Sequence, residues 1–241
     1  MLIATDAAAI EWRVAAQVSG DAIAIKEISE GADTHTLNQH AFNLPDRLTA
    51  KKYLFRTLYN RGKGYAFSQD PEFTHVSSSV KFWDEVGRKF YKDKYVGIDR
   101  FYDKNLKLVG SGKPIVGITG REWFLEPYTN FKGELELPVT KVVNFEVQGT
   151  AADIMMLARI SFRNRMHKLP QASLVKLVST VHDSVTVDAP AECIMPVAKM
   201  FNDVFADLPK NIEKIFGYKW TVPLACETKY GKNMRNMSKV V

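Results

Sequence analysis

The chain has 241 residues, 46% apolar and 25% charged, the balance of a soluble globular protein able to bury a core as one domain or two small ones. Its formal net charge of +6 leans toward a polyanionic partner without requiring one, since Lys and Arg that neutralise phosphates release counterions. Cys193 and Cys226 lie outside any CxxC pair or Cys/His cluster, no run approaches the ~18 apolar residues of a membrane span, and the start lacks a signal-peptide pattern; a readable zinc site and a spanning helix are excluded, and a reduced, intracellular protein is expected.

In chain order, Leu2 to Asp6 reads as a short strand. Ile10, Val14 and Val18 recur at helical spacing, and Ser19-Gly20-Asp21 ends that helix. A helical region covers Ala22 to Phe42. Pro45-Asp46 opens a helix that runs to Tyr59 and stops at the glycines of Asn60-Arg61-Gly62-Lys63-Gly64. Val76 to Lys104 is helical and rich in aromatics. A hairpin is predicted about the Thr119-Gly120 turn, between Val116-Gly117-Ile118 and Trp123-Phe124-Leu125. Gln148 to His167 is a helix with Ala151, Ile154, Met155, Ala158 and Phe162 as its apolar stripe. Leu174 to Ala189 alternates like a half-buried hairpin, with Val175, Leu177, Ser179 and Val181 on one face and Val185 and Val187 on the return. A helix from Ile194 to Leu208 and a strand from Trp220 to Cys226 close the chain. The outline is a sheet-based unit made from both ends, interrupted by a mostly helical one.

Two features carry chemistry. Asp6 and Asp183 stand at strand ends beside turns, 177 positions apart, and meet if their strands are neighbours. Each also reads as a turn-forming or helix-capping aspartate, and spacing alone favours that reading. A pair of such carboxylates is otherwise what Mg²⁺ takes alongside phosphates. The second feature is Arg47, Lys51, Phe55 and Tyr59 at four-residue steps. Each step turns a helix by only ~40°, so the four line one face. A triphosphate suits its cationic, dipole-positive end and a base or sugar its aromatic end. A solvated basic half and a buried aromatic half is the plainer reading.

Taken together, these segments resemble the polymerase domain of family A DNA polymerases. Asp6-Ala7-Ala8-Ala9-Ile10-Glu11-Trp12-Arg13-Val14 with Ser19-Gly20-Asp21 is similar to motif A, Arg47-x3-Lys51-x3-Phe55-x3-Tyr59 to motif B, and Val181-His182-Asp183 to motif C. Gln148-Gly149-Thr150-Ala151-Ala152-Asp153-Ile154, close to the family's QGTAADI, is the most specific match, and the order holds from Asp6 to Asn233. The chain departs at Ala7, Ala8 and Ala9 in motif A, at Arg56 and Asn60 in motif B, at Ser184 after motif C and at Met234 near the end. These departures bear on rate and fidelity more than on reaction type.

The resemblance implies an α/β (α+β) fold: a palm with an antiparallel sheet and flanking helices, interrupted by mostly helical fingers. Residues 1–24 and 139–241 would form the palm, with a motif C hairpin at about 174–189. Residues 25–138 would form the fingers, with the motif B helix at about 46–59. The implied activity is template-directed DNA synthesis by two-metal nucleotidyl transfer to a primer 3′-OH. Asp6 and Asp183 would be catalytic and, with the Ala7 carbonyl, hold two Mg²⁺ ions, for which Mn²⁺ can substitute. Arg47, Lys51, Phe55, Tyr59, Glu11 and His35 would bind dNTP, Glu11 as the steric gate against a 2′-OH. Gln148, Asn144, His182 and Arg13 would touch primer-template DNA. The family's thumb and exonuclease lie upstream of motif A. The expectation is therefore a split polymerase, completed by a separate N-terminal chain that carries the thumb, with or without a proofreading exonuclease; a trimmed piece of a longer chain is the alternative. Splitting suggests a phage and the host cytoplasm, with no membrane partner. Two readings compete: an inert polymerase-derived assembly or DNA-binding subunit, and a two-metal nuclease, which leaves the triphosphate-binding face unexplained.

Overall fold

The computed structural model describes residues 1–240. In chain order the elements are β1 (Leu2–Ala7), α1 (Ile10–Ser19), α2 (Ala22–Ser29), α3 (Thr34–Phe42), α4 (Arg47–Asn60), α5 (Gly64–Ser68), α6 (Val80–Arg88), α7 (Val96–Gly110), β2 (Ile115–Val116), β3 (Glu122–Trp123), β4 (Tyr128–Thr129), β5 (Leu135–Glu136), α8 (Val139–Arg165), β6 (Lys176–Val181), β7 (Ser184–Asp188), α9 (Ile194–Phe216), β8 (Cys226–Gly231) and β9 (Ser238–Lys239). They divide into two compact units, one of Met1–Arg13 with Gly149–Val241 and one of Val14–Gln148.

The first unit is built on a five-stranded antiparallel sheet in the order β6-β7-β1-β8-β9. The apolar start of the chain is its central strand. Ile3, Ala4 and Thr5 are buried, and the Thr5 and Thr228 hydroxyls meet at 2.9 Å between β1 and β8. The stripe Val197, Phe201, Val204, Phe205, Leu208 and Ile212 of α9 is fully buried, and Phe201 stacks on Phe162 of α8 at 4.0 Å between ring centroids. A fold of this kind, an antiparallel sheet flanked by helices and joined to a mostly helical region, is what the sequence implied.

Aromatic packing dominates the second unit. Tyr53 of α4 lies 4.8 Å from Phe67 and 5.8 Å from Trp83, centroid to centroid, and Phe42, Phe73 and Phe90 close the cluster. The Trp83 indole donates to the Ser77 carbonyl at 2.8 Å, so its polar edge is satisfied inside the core. Asp21 caps α2 and also accepts the Gly97 amide at 2.7 Å, which ties the first turn of α7 to α2. A Cβ at residue 97 would stand 2.6 Å from the Asp21 Cα, so only glycine admits this approach.

Several elements differ from the sequence expectation. The region 22–42 is two helices, because Gly31 at φ +66 breaks it and Asp33 starts a new cap. The region 76–104 begins at Val80 under a Ser79 cap, passes through a π-helical stretch at Lys89–Lys94, breaks at Tyr95 and resumes as α7. α8 starts at Val139 rather than Gln148. Its β-branched first turns read poorly as helix, but Val142 packs into a cluster with Val109 and Ile115, and packing overrides propensity. The last long strand is Cys226–Gly231. The preceding Trp220 to Leu224 is buried at alternate positions without joining the ladder, and Pro223 has no amide to offer. β6 is an edge strand whose register slips between Leu177 and Ser179, leaving Ser179 and Val181 exposed rather than half-buried. The hairpin of β4 and β5 was not foreseen.

Candidate active site

The two aspartates are placed by backbone pairing. Asp6 stands opposite Ser184 of β7 on one side and Glu227 of β8 on the other. The Ala7 amide donates to the Asp183 carbonyl at 2.9 Å, which fixes the β6–β7 turn against the end of β1. That turn is His182 and Asp183 alone, with His182 at φ +52, the left-handed conformation favoured at the first position of tight hairpins. Asp6 is half-buried; His182 and Asp183 are exposed.

Among the described residues, neither carboxylate has a cation or a hydrogen-bond donor as a side-chain partner. Two hard oxygen donors on adjacent strand ends, uncommitted within the protein, fit a Mg²⁺ ion that fills its remaining positions with phosphate and water. No group of three or more His, Cys, Asp and Glu is placed to hold a metal among those residues, so the protein offers a partial set and not a closed cage. Glu227 shares the sheet face of Asp6 by register, but it is bonded to Lys239 at 3.3 Å.

In the helical unit, α4 buries Thr49, Ala50, Tyr53, Leu54, Thr57 and Leu58. Its opposite face carries exposed Arg47 and Lys51, then half-buried Phe55 and Tyr59. The core aromatic of this helix is Tyr53, so Phe55 and Tyr59 belong to a separate surface. Phe55 is tilted against His35 of α3, 6.2 Å between centroids. The His35 Nδ1 is buried with no hydrogen-bond partner among the described residues. Burial first, and the charge of Arg47 after it, push the His35 pKa below its ordinary value, so the imidazole is neutral at pH 7.

Arg47 is engaged. Its guanidinium grips Asp33 with two bonds, Nε to Oδ2 at 2.6 Å and Nη2 to Oδ1 at 3.0 Å. Asp33 also caps α3, accepting from the His35 and Thr36 amides and the Thr36 hydroxyl. The Arg47 bond, with that of Thr36, holds the Asp33 carboxyl well below the usual carboxylate range. The two motif B departures have structural work. Arg56 bridges Asp70 at 2.7 Å and Glu72 at 3.1 Å, and the Asn60 side chain accepts the Gly62 amide at 2.9 Å where the helix ends.

Glu11 lies half-buried in the first turn of α1. Arg13 donates from Nε to the Ala8 carbonyl at 2.7 Å and from Nη1 to the Pro223 carbonyl at 2.5 Å, so most of its fork braces the turn after β1. Asn144 and Gln148 sit four positions apart on α8, Asn144 half-buried with a partnerless buried Oδ1, Gln148 exposed. Sequence reasoning passed over Asp33, although it precedes His35, and Glu227. Asp33 was visible as the cap of a helix; Glu227 depends on a register that one sequence does not display.

Known proteins resemble this chain in sequence and fold. The family described as DNA polymerase family A matches residues 1–236. DNA polymerase I of Chloroflexus aurantiacus is 24% identical over 247 residues, covering 98% of this chain and 24% of the relative. The thermostable DNA polymerase I of Thermus aquaticus is 26% identical, covering 97% of this chain and 27% of the relative. The chain thus spans about a quarter of the length of these relatives. The POL domain of Pol1 from M. smegmatis, solved in complex with DNA primer-template and dNTP, superposes with a TM-score of 0.76 at 20% identity, covering 96% of this chain and 39% of that one.

Proposed function

The chain belongs to DNA polymerase family A, and we propose that it adds deoxynucleotides to a primer 3′-OH under the direction of a template strand. The observation that carries this reading is the pair of unpaired carboxylates, Asp6 and Asp183, fixed by backbone bonds at adjacent strand ends. Primer-template DNA and dNTP are the ligands of the mycobacterial structure that shares the fold, and the same ligands are proposed here.

In this reading Asp6, Asp183 and the Ala7 carbonyl would hold Mg²⁺. When bound, the metal would supply positive charge to offset that of the phosphates in the transfer. The protein's own task is positioning. Arg47 and Lys51 bind the triphosphate at the N-terminal end of α4, where the helix dipole adds to their charge. Neutral His35 donates a hydrogen bond to a phosphate oxygen rather than a charge. Phe55 packs against the sugar, Tyr59 lies by the templating base, and Glu11 leaves no room for a 2′-OH. Gln148, Asn144, His182 and the free Nη2 of Arg13 contact primer or template. Holding reactants in line in this way supplies most of the acceleration in phosphoryl transfer. A second polypeptide bearing a thumb is part of the proposal. Its support is the unpaired edge of β6, where Val178 is 52% and Val181 56% exposed.

The test is primer extension on a defined template with dNTPs and Mg²⁺, by the chain alone and with lysate from its source. Template-directed incorporation that disappears when this chain carries Asp183→Ala is the expected result. Undiminished synthesis by that variant would remove the metal assignment. Extension by the wild-type chain alone, processive and salt-resistant, would remove the second polypeptide.

A further inference from the structure

One surface of the helical unit is strongly charged and takes no part in the reading above. Arg100, Lys104 and Lys107 of α7, with Lys113 in the turn that follows, line an open groove of about 530 Å³. Positions 100, 104 and 107 fall on one helix face and span about 10 Å along the axis, the run of about three phosphates on one strand. All four side chains are exposed, and among the described residues none forms an ion pair. The one carboxylate in the groove, Asp103, is already taken by Arg61. Four cations therefore face solvent without an ion-pair partner, Lys104 alone feeling the charge of buried Glu146, and their mutual repulsion favours a polyanion.

The position of the groove narrows the choice of polyanion. Arg61 is the residue that ends α4, in the left-handed conformation, and it binds both Asp99 and Asp103 of α7. The groove thus begins beside the end of α4 that carries Tyr59. We propose that it binds the sugar-phosphate backbone of the unpaired template strand. This rests on the polymerase reading, in which Tyr59 lies by the templating base. The groove is open and lined by flexible cations, as suits a strand read by charge alone and not by sequence.

The experiment uses the 241-residue chain and a labelled oligothymidylate, with binding followed by anisotropy from about 50 to 300 mM NaCl. Each phosphate contact on a single strand contributes about −0.7 to the slope of log K against log salt. The triple variant Lys104→Gln, Lys107→Gln, Lys113→Gln should make that slope shallower by about 2 and weaken binding at least about tenfold at low salt. The control triple Lys168→Gln, Lys210→Gln, Lys214→Gln removes the same charge elsewhere and should change the slope by less than half as much. Equal slopes for the two triples would overturn the proposal. So would displacement of the oligonucleotide by a glutamate-rich peptide at equal charge concentration, which would make the groove a site for an acidic polypeptide. On primer-template, lengthening the 5′ template overhang from about one to about ten nucleotides should tighten binding to the wild-type chain and not to the groove variant; a gain kept by the variant places the strand elsewhere. No nucleotide or metal enters these measurements. A chain that failed to extend a primer would break the polymerase reading and leave the slope to be judged separately.

Discussion

The sheet unit and the helical unit present their charged groups in opposite states. Asp6 and Asp183 are fixed by main-chain bonds and, among the described residues, left without side-chain partners, so no ion pair within those residues answers their charge. Arg47 is fixed by its side chain, through two bonds to Asp33, so its charge is already answered. The carboxylates need only a cation to arrive. The arginine must exchange one anion for another. Under the proposed function, the first arrangement would make metal binding depend on strand register, whereas the second would make phosphate binding a competition.

The largest effect that separates the two is the loss of a carboxylate. Asp183→Ala should lower extension at least about a thousandfold, because no neighbouring acid is placed to take over and Glu227 is held by Lys239. DNA affinity should stay within about twofold and the melting temperature should not move, since exposed Asp183 supports nothing by its side chain. A fall in stability comparable to the fall in rate would show that the residue is structural, and the contrast with Arg47 would lose its basis.

The cores differ as well. The sheet unit relies on one face-to-face pair, Phe162 on Phe201, at an interplanar angle of 4°. The helical unit shares its load among many rings, stacked, tilted and edge-on, around Tyr53 and Trp83. Phe201→Ala should cost about 3–5 kcal/mol, as deletion of a buried Phe generally does. Hydrogen exchange should show protection lost in residues 149–240 before 14–148. Uniform loss along the chain would mean that the two units unfold as one.

These contrasts show what the sequence made legible. The helix face of Arg47, Lys51, Phe55 and Tyr59 could be read at once, because helical spacing is local. The two aspartates were legible as motif fragments only, since their meeting depends on β1 lying between β7 and β8, a pairing across more than 170 positions. The early start of α8 was hidden for a related reason, being decided by what packs against the segment, Val142 on Val109 and Ile115. The break at Gly31 is local, made by a glycine at φ +66 and the Asp33 cap that follows it. The bond from Asp33 to Arg47 spans only 14 positions, yet no periodicity announces an ion pair between a helix cap and the next helix.

That bond gives a smaller and sharper test. Asp33→Asn keeps an N-cap, since Asn serves there nearly as well, and removes the charge that competes for the arginine. The KM for dNTP should fall by about two- to five-fold with kcat little changed, a modest figure because the pair is exposed and screened. The Asp33 carboxyl is held low, so the pair persists above the usual carboxylate range and is lost only as pH falls through its depressed value. The KM difference should therefore be constant from pH 6 to 9. A rise in KM would reverse the reading and make Asp33 the residue that holds Arg47 ready.

The smallest expected effect tests the helical unit alone. Glu146 of α8 is buried, 8% exposed, with the Asn105 amide donating to it at 2.9 Å. Burial raises its pKa above the ordinary 4.5, and the Asn105 bond offsets part of that rise. A carboxyl with a raised folded-state pKa favours folding while protonated, and this contribution is lost as pH climbs through the raised value. Glu146→Gln keeps an oxygen for Asn105 and removes the charge. The variant should match the wild type near pH 4 and melt about 1–3 °C higher at pH 7. An equal difference at both pH values would mean that the gain comes from packing. A lower melting temperature at pH 7 would mean that the ionised carboxylate stabilises the unit, through the charge of Lys104 that faces it from α7.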